Sequence, residues 1–247
     1  MIKPIYALVA AIALPLLISC NEDDSVSNMF EEVNGPVAEK LIASVNVVSS
    51  ESSEPDRTVT INYASDDSVT SVTDGTQTAL LVYDGGDLSQ VNSEGDALNI
   101  LELYESPLDA FEIGDIVSYD AAGNPEVLTL IQEEFDGSLT FFEATLNYDD
   151  RPNPTFFTLQ AAGIIEVLDN VQLSFSAAPT PSEIVAARLL FPLNNPTGMA
   201  IRDESGAVVA QVTISHVYDD DNYPTTSTVA INSDEGDSGY ILTYTYR

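Results

Sequence analysis

Tyr83-Asp84-Gly85-Gly86-Asp87-Leu88 reads as the end of one strand, a two-glycine reversal and the start of the next, which continues to Val91. Glycine takes the positive φ that a tight hairpin requires, and aspartate accepts hydrogen bonds from the backbone just after it. A tyrosine at a strand end packs its ring while keeping its hydroxyl near water. The same opening recurs in Tyr119-Asp120-Ala121-Ala122-Gly123-Asn124, in Tyr148-Asp149-Asp150-Arg151-Pro152-Asn153-Pro154 and in Tyr218-Asp219-Asp220-Asp221-Asn222-Tyr223-Pro224. The intervals between these tyrosines are unequal, which predicts a meander of hairpins and not a solenoid of fixed period.

Outward from these turns the chain has a period of two. Leu41, Ala43, Val45 and Val47 alternate with Ile42, Ser44 and Asn46, and Val59, Ile61 and Tyr63 alternate with Thr58, Thr60 and Asn62. Both stretches read as half-buried strands, separated by the loop Ser49 to Asp56. Further strands are expected over Ala207 to Tyr218, Thr225 to Ile231 and Tyr240 to Tyr246. Two places break the rhythm. Thr180-Pro181-Ser182-Glu183 is a capping box leading into a helix over Ile184 to Leu190. Asn153-Pro154 caps a short helix through Phe156 and Leu159 that ends near Gly163. The fold class expected is mainly β: an antiparallel meander of hairpins in a curled or sandwich-like sheet, with one or two short helices.

The N-terminus has a different character. Lys3 precedes an apolar run from Ile5 to Ile18, interrupted by Pro15 and shorter than the roughly 20 residues a membrane-spanning helix needs. It ends in Leu17-Ile18-Ser19-Cys20, which resembles a bacterial lipobox. The resemblance implies that residues 1–19 are a lipoprotein signal peptide and that Cys20 becomes the lipidated first residue, the chain's attachment to a membrane. Cys20 is the only cysteine, so no intramolecular disulfide can form. Residues 20–36 read as an acidic flexible tether, polar and without a period. Within it, Asn21-Glu22-Asp23-Asp24 resembles the acidic export tag of Bacteroidota surface lipoproteins. That implies the outer membrane, at the cell surface in preference to a periplasm-facing position.

The Tyr-Asp turns, together with Asn153-Pro154, Asn194-Asn195-Pro196 and Asp221-Asn222-Tyr223-Pro224, resemble a Bacteroidota family of cell-surface lipoproteins built of such hairpins. The similarity runs from about residue 37 to the C-terminus and implies one β-rich domain over residues 37–247. The family has no assigned activity, so no functional residue carries over from it.

The charge is extreme: 40 Asp and Glu against 7 Lys and Arg, a formal net charge of −33. Such a surface repels nucleic acid and anionic lipid, favours solubility in salt and attracts divalent cations nonspecifically. Asp219-Asp220-Asp221-Asn222 and Asn232-Ser233-Asp234-Glu235-Gly236-Asp237 offer dense oxygen ligands, but neither has the spacing of a calcium-binding EF-hand loop. They read as solvated acidic turns. No cofactor and no specific calcium site are expected.

His216, the single histidine, lies in the strand Val212 to Tyr218 on one face with Val212, Ile214 and Tyr218. It reads as a packed or solvated strand residue, not a base. No nucleophile elbow, phosphate loop or dinucleotide fingerprint is present, and one histidine with a lipidated cysteine leaves no conventional zinc site. No catalytic residue is assigned. Carboxylate pairs are so abundant that their presence says little. The chain lacks tryptophan, the usual sugar-stacking platform, and Tyr63, Tyr83, Tyr119 and Tyr148 are the substitutes. The leading reading is a noncatalytic, monomeric envelope lipoprotein whose β-domain binds a glycan or protein or serves a structural role. The competing reading is a lipid-anchored carboxylate-dependent hydrolase acting on glycans.

Overall fold

A computed structural model describes residues 25–50, 55–93, 96–99, 114–133, 138–167, 192–233 and 236–247. The lipobox with Cys20 and the capping box at Thr180 lie outside the described residues. Among those described, thirteen strands form one antiparallel sheet. They are β1 (Ile42–Ser49), β2 (Arg57–Tyr63), β3 (Val69–Thr73), β4 (Thr78–Asp84), β5 (Asp87–Ser93), β6 (Asp96–Asn99), β7 (Gly114–Tyr119), β8 (Pro125–Glu133), β9 (Leu139–Pro152), β10 (Asn194–Arg202), β11 (Val208–Tyr218), β12 (Pro224–Ser233) and β13 (Gly236–Tyr246). The sheet order is β6-β5-β4-β3-β2-β1-β13-β12-β11-β10-β9-β8-β7. Consecutive strands therefore pair from β1 to β6 and from β7 to β13, β6 and β7 form the two edges, and β13 returns to pair with β1 and joins the two halves of the meander.

The alternation in the sequence is the alternation in the sheet. On β13, Tyr240, Leu242, Tyr244 and Tyr246 are half-buried while Ile241, Thr243 and Thr245 are exposed. Val45 pairs with Tyr244 on one side and Val59 on the other, which extends the same apolar face across β1 to β2.

Two helices stand at one end of this sheet: α1 (Val26–Asn34) and α2 (Phe156–Ala161). The second is the helix expected after Asn153-Pro154. Asn153 Oδ1 accepts from the Thr155 backbone and hydroxyl at 3.0 and 2.8 Å, and Gly163 at φ +75° separates the helix from a further helical turn over 164–167.

The first helix corrects the reading of residues 20–36 as tether. Val26, Met29, Phe30 and Val33 are spaced i, i+3, i+4, i+7, a single helical face that the acidic composition hides. Ser25 caps it by accepting from Asn28 N at 3.1 Å, and Gly35 closes it at φ 66° with its N–H on Glu31 O. Phe30 stacks on Phe156 at 3.7 Å between ring centroids. Among the described residues, Val26, Phe30, Phe156, Ile165 and Leu193 form the largest buried apolar cluster. Helix α1 is thus part of the core.

The course of the α2 segment reveals how strongly the sheet curls. Asn153 N donates to Leu193 O beside β10, Thr158 Oγ1 accepts from Ile42 N of β1, and Gly163 lies against β5, where a Cβ would be 3.0 Å from Leu88 Cβ. In a flat sheet the eight steps from β10 to β5 would span about 38 Å at the usual strand spacing. The ten steps from Asn153 to Gly163 include the six-residue helix α2, which rises only about 9 Å, so the segment falls well short of that span. The sheet therefore wraps around the helix, which plugs one end of an open curl.

Tyrosines close that end. Tyr63, Tyr83, Tyr148 and Tyr246 donate their hydroxyls to the carbonyls of Ile42, Val69, Pro125 and Pro224, at 2.7 to 2.8 Å. In each case the tyrosine near the end of one strand bonds the start of its neighbour. Beside them the Asp120 and Asp219 turns share one construction. Each Asp Oδ1 accepts from the N–H groups two and four residues later, and Gly123 or Asn222 takes the positive φ. The Asp203 turn at the opposite end of the sheet is built identically around Gly206. The Tyr148-Asp149 hairpin is corrected: no turn forms there, and β9 runs on to Pro152. Register shifts against β10 between Asn194 and Gly198 absorb the extra residues, so the strand stays paired.

Burial pushes the tyrosine phenols up, Tyr148 to about 12 and Tyr63 and Tyr83 above the ordinary 10.0. A phenol whose folded pKa is raised contributes stability fully below its unfolded pKa and loses it as pH rises through the folded value. The midpoint of thermal unfolding should therefore hold up to about pH 10 and fall steeply toward pH 12. Phenolate absorbance should rise together with unfolding; phenolate formation well below pH 10 in the folded protein would contradict this.

Candidate functional site

The helices, the Tyr-Asp turns at Tyr83, Tyr119 and Tyr218 and the tyrosine hydroxyl bonds all occupy one end of the sheet. At the other end lie the β1–β2 loop, the β3–β4 turn and the β10–β11 turn. A groove of about 840 Å³ opens there, lined by Val47, Ser49, Pro55 to Thr58, Thr60, Thr73 to Thr76 and Tyr240.

Its shape follows from strand register. Pairing of β2 with β3 ends at Thr60 opposite Thr73, so Arg57 to Val59 run on beyond β3, and the Asp74-to-Gln77 turn borders the space alongside. Ser49 faces Tyr240 across β1 and β13, and Val47 faces Arg57 across β1 and β2. The turn is held rigidly. Asp74 Oδ1 accepts from Thr76 N at 2.9 Å and Gln77 N at 2.8 Å, while Thr73 Oγ1 donates to Gln77 O at 2.8 Å and accepts from Gly75 N. Those backbone bonds, with the charge of Arg57 beside them, hold the Asp74 carboxyl below its usual range. It stays ionised and has no proton to give as a general acid. The groove combines an exposed guanidinium, hydroxyls, fixed carboxylate oxygens and one phenol ring. That set makes many polar contacts of modest strength over an open surface.

The residues singled out in the sequence lie elsewhere. His216 bridges three strands: Nε2 is 2.9 Å from Pro196 O and Nδ1 is 2.7 Å from Ser227 Oγ. A carbonyl only accepts, so in the neutral ring Nε2 carries the proton and Nδ1 accepts from the Ser227 hydroxyl. Both nitrogens are engaged and Ser227 is 2% exposed, so no substrate atom reaches this pair. In the Asp219 turn the carboxylates of Asp219 and Asp221 each lie 2.7 Å from Lys40 Nζ. That ammonium also sits over the rings of Tyr223 and Tyr246. These oxygens hold a lysine. The other acidic loop includes residues 234–235, outside those described. Of the four tyrosines weighed as a sugar platform, Tyr63, Tyr83 and Tyr148 are spent on backbone bonds at the helical end, and Tyr119, 39% exposed, lies there too. Tyr240, read only as a strand residue, is the tyrosine that lines the groove.

Buried amides fill the helical end. Asn124, fully buried, accepts at Oδ1 from Leu193 N and Asn194 N and donates through Nδ2 to Asp120 Oδ2 and Asn194 Oδ1. Asn194 passes the chain on to Asn34 of α1 and to Arg151 O. Each member is bonded, which identifies the network as a structural clamp.

No family model matches the chain, and no curated protein matches it. Among solved structures it is similar to a porin-like protein from Bacteroides vulgatus, at 13% identity and a TM-score of 0.40, covering 84% of this chain and 99% of that one. It is similar to a porin-like protein from Bacteroides uniformis, at 14% identity and a TM-score of 0.36, over 86% and 99%. A LolA superfamily protein from Nitrosomonas europaea is similar at 7% identity and a TM-score of 0.28, over 90% and 91%. Likenesses at this level carry no function across.

Proposed function

We propose that this chain is a lipid-anchored envelope protein of the outer membrane whose β-rich domain binds a neutral glycan in the groove at the end opposite its helices, without chemical turnover. Cys20 is the point of lipid attachment, and the acidic residues behind it favour display at the cell surface. The groove carries the reading: an open space of about 840 Å³ whose donors and acceptors come from four strands, the β1–β2 loop and the tightly bonded β3–β4 turn. Hydroxyl- and guanidinium-lined channels with one aromatic ring suit the alternating polar edges and flat faces of sugar rings. The net charge of −33 disfavours polyanionic glycans as well as nucleic acid. Asp74 is tied into its turn by backbone bonds, which does not suit it to serve a hydrolase as general acid.

Binding of neutral hexasaccharides of glucose, mannose and xylose to the lipid-free domain tests this. At least one should bind, and Arg57→Ala and Tyr240→Ala should each weaken that binding about tenfold, the loss of roughly 1.4 kcal/mol of contact. The thermal midpoint should barely move in Arg57→Ala, whose side chain is exposed. Unchanged affinity in both variants would remove the groove from the account.

A further inference from the structure

We infer that the helix-plugged end of the domain is held close against the membrane, so that the groove points away from it. This rests on lipid attachment at Cys20 and adds an orientation to it. As a flexible tether, residues 20–36 would reach about 60 Å and leave the domain free to turn. The docking of α1 removes most of that reach. Only four residues lie between Cys20 and Ser25, the N-cap of α1, and the five steps from one to the other span at most about 18 Å.

Helix α1 in turn cannot swing. Phe30 is stacked on Phe156, Asn34 Nδ2 donates to Leu193 O at 3.2 Å, and a Cβ on Gly123 would sit 3.4 Å from Met29. The lipid is therefore fastened to a rigid corner of the helical end. The opposite end lies a strand length further out: the eleven residues of β11 alone extend about 35 Å. The partner of the helical end is the bilayer of the anchor itself, reached by tethering and not by electrostatic attraction.

The test uses the full lipidated protein in phosphatidylcholine vesicles that carry an energy acceptor at the headgroup. A donor dye is placed on Glu32→Cys in α1 or on Ser205→Cys in the β10–β11 turn. Transfer should be several-fold stronger from position 32. A twelve-residue Gly/Ser insertion between Asp24 and Ser25 should narrow the difference, since such a linker adds about 20 Å of root-mean-square reach. Equal transfer from the two positions with the natural spacing, or stronger transfer from 205, would overturn the orientation while leaving the anchor intact. Protein that fails to incorporate labelled fatty acid and does not sediment with vesicles would overturn the anchor and, with it, the orientation. Thermal melts of both labelled variants confirm that each reading comes from folded protein.

Discussion

Phe30→Ala lowers the stability of the lipid-free domain by about 3–5 kcal/mol, the cost of deleting a buried aromatic ring and leaving its cavity. Phe30 is 1% exposed and stacks on Phe156, itself 2% exposed. The same substitution in a flexible tether would cost almost nothing, so the experiment asks directly whether α1 belongs to the domain. Deleting residues 25–35 should be at least as severe, because the face of Phe156 and Phe157 that α1 covers would meet water. Chemical denaturation of the two variants beside the parent decides it. Midpoints within experimental error of the parent would return residues 25–35 to the tether.

Asn124→Ala should cost about 3 kcal/mol or more, although it removes a small polar side chain. The loss strands the N–H groups of Leu193 and Asn194, and a buried polar group without a partner costs about 1–3 kcal/mol. Asn124→Asp is the sharper probe. Its Oδ1 can still accept from both N–H groups, but a carboxylate replaces the donor that now lies 3.0 Å from Asp120 Oδ2. Repulsion and burial would raise the folded pKa of the new acid above its unfolded value of about 3.9. The protonated acid restores one of the two donations Nδ2 makes, so the deficit should be smallest below about pH 4 and widen as pH rises through the folded pKa. A deficit independent of pH would show that the amide acts through shape alone.

Much of the sheet was legible because alternation is local. Val45, Val59 and Tyr244 share a face in the fold as their spacing requires, and glycine or asparagine takes the positive φ at Gly85, Gly123 and Asn222. Helix α1 was obscured for a compositional reason. Its apolar face is four residues, Val26, Met29, Phe30 and Val33, among serines, asparagines and glutamates that resemble linker. The spacing of those four, with Ser25 before and Gly35 after, was the available signal. Tyr148-Asp149 misled in the opposite direction. Turn chemistry is a local preference, and the pairing of β9 with β10 out to Pro152 overrides it. The groove was not legible at all. Tyr240 joins Arg57 and Thr73 to Thr76 only because β13 returns to β1, a pairing no short spacing encodes.

The most direct measurement is a two-dimensional amide NMR titration of the labelled lipid-free domain with whichever neutral hexasaccharide binds, following the sugar signals in the same tube. The account predicts shifts concentrated at Arg57 to Thr60, Thr73 to Thr76 and Tyr240, quiet amides in α1 and α2, and a sugar spectrum unchanged over days. Shifts centred on the helical end, cleavage of the sugar, or no response to any of the three hexasaccharides would contradict it.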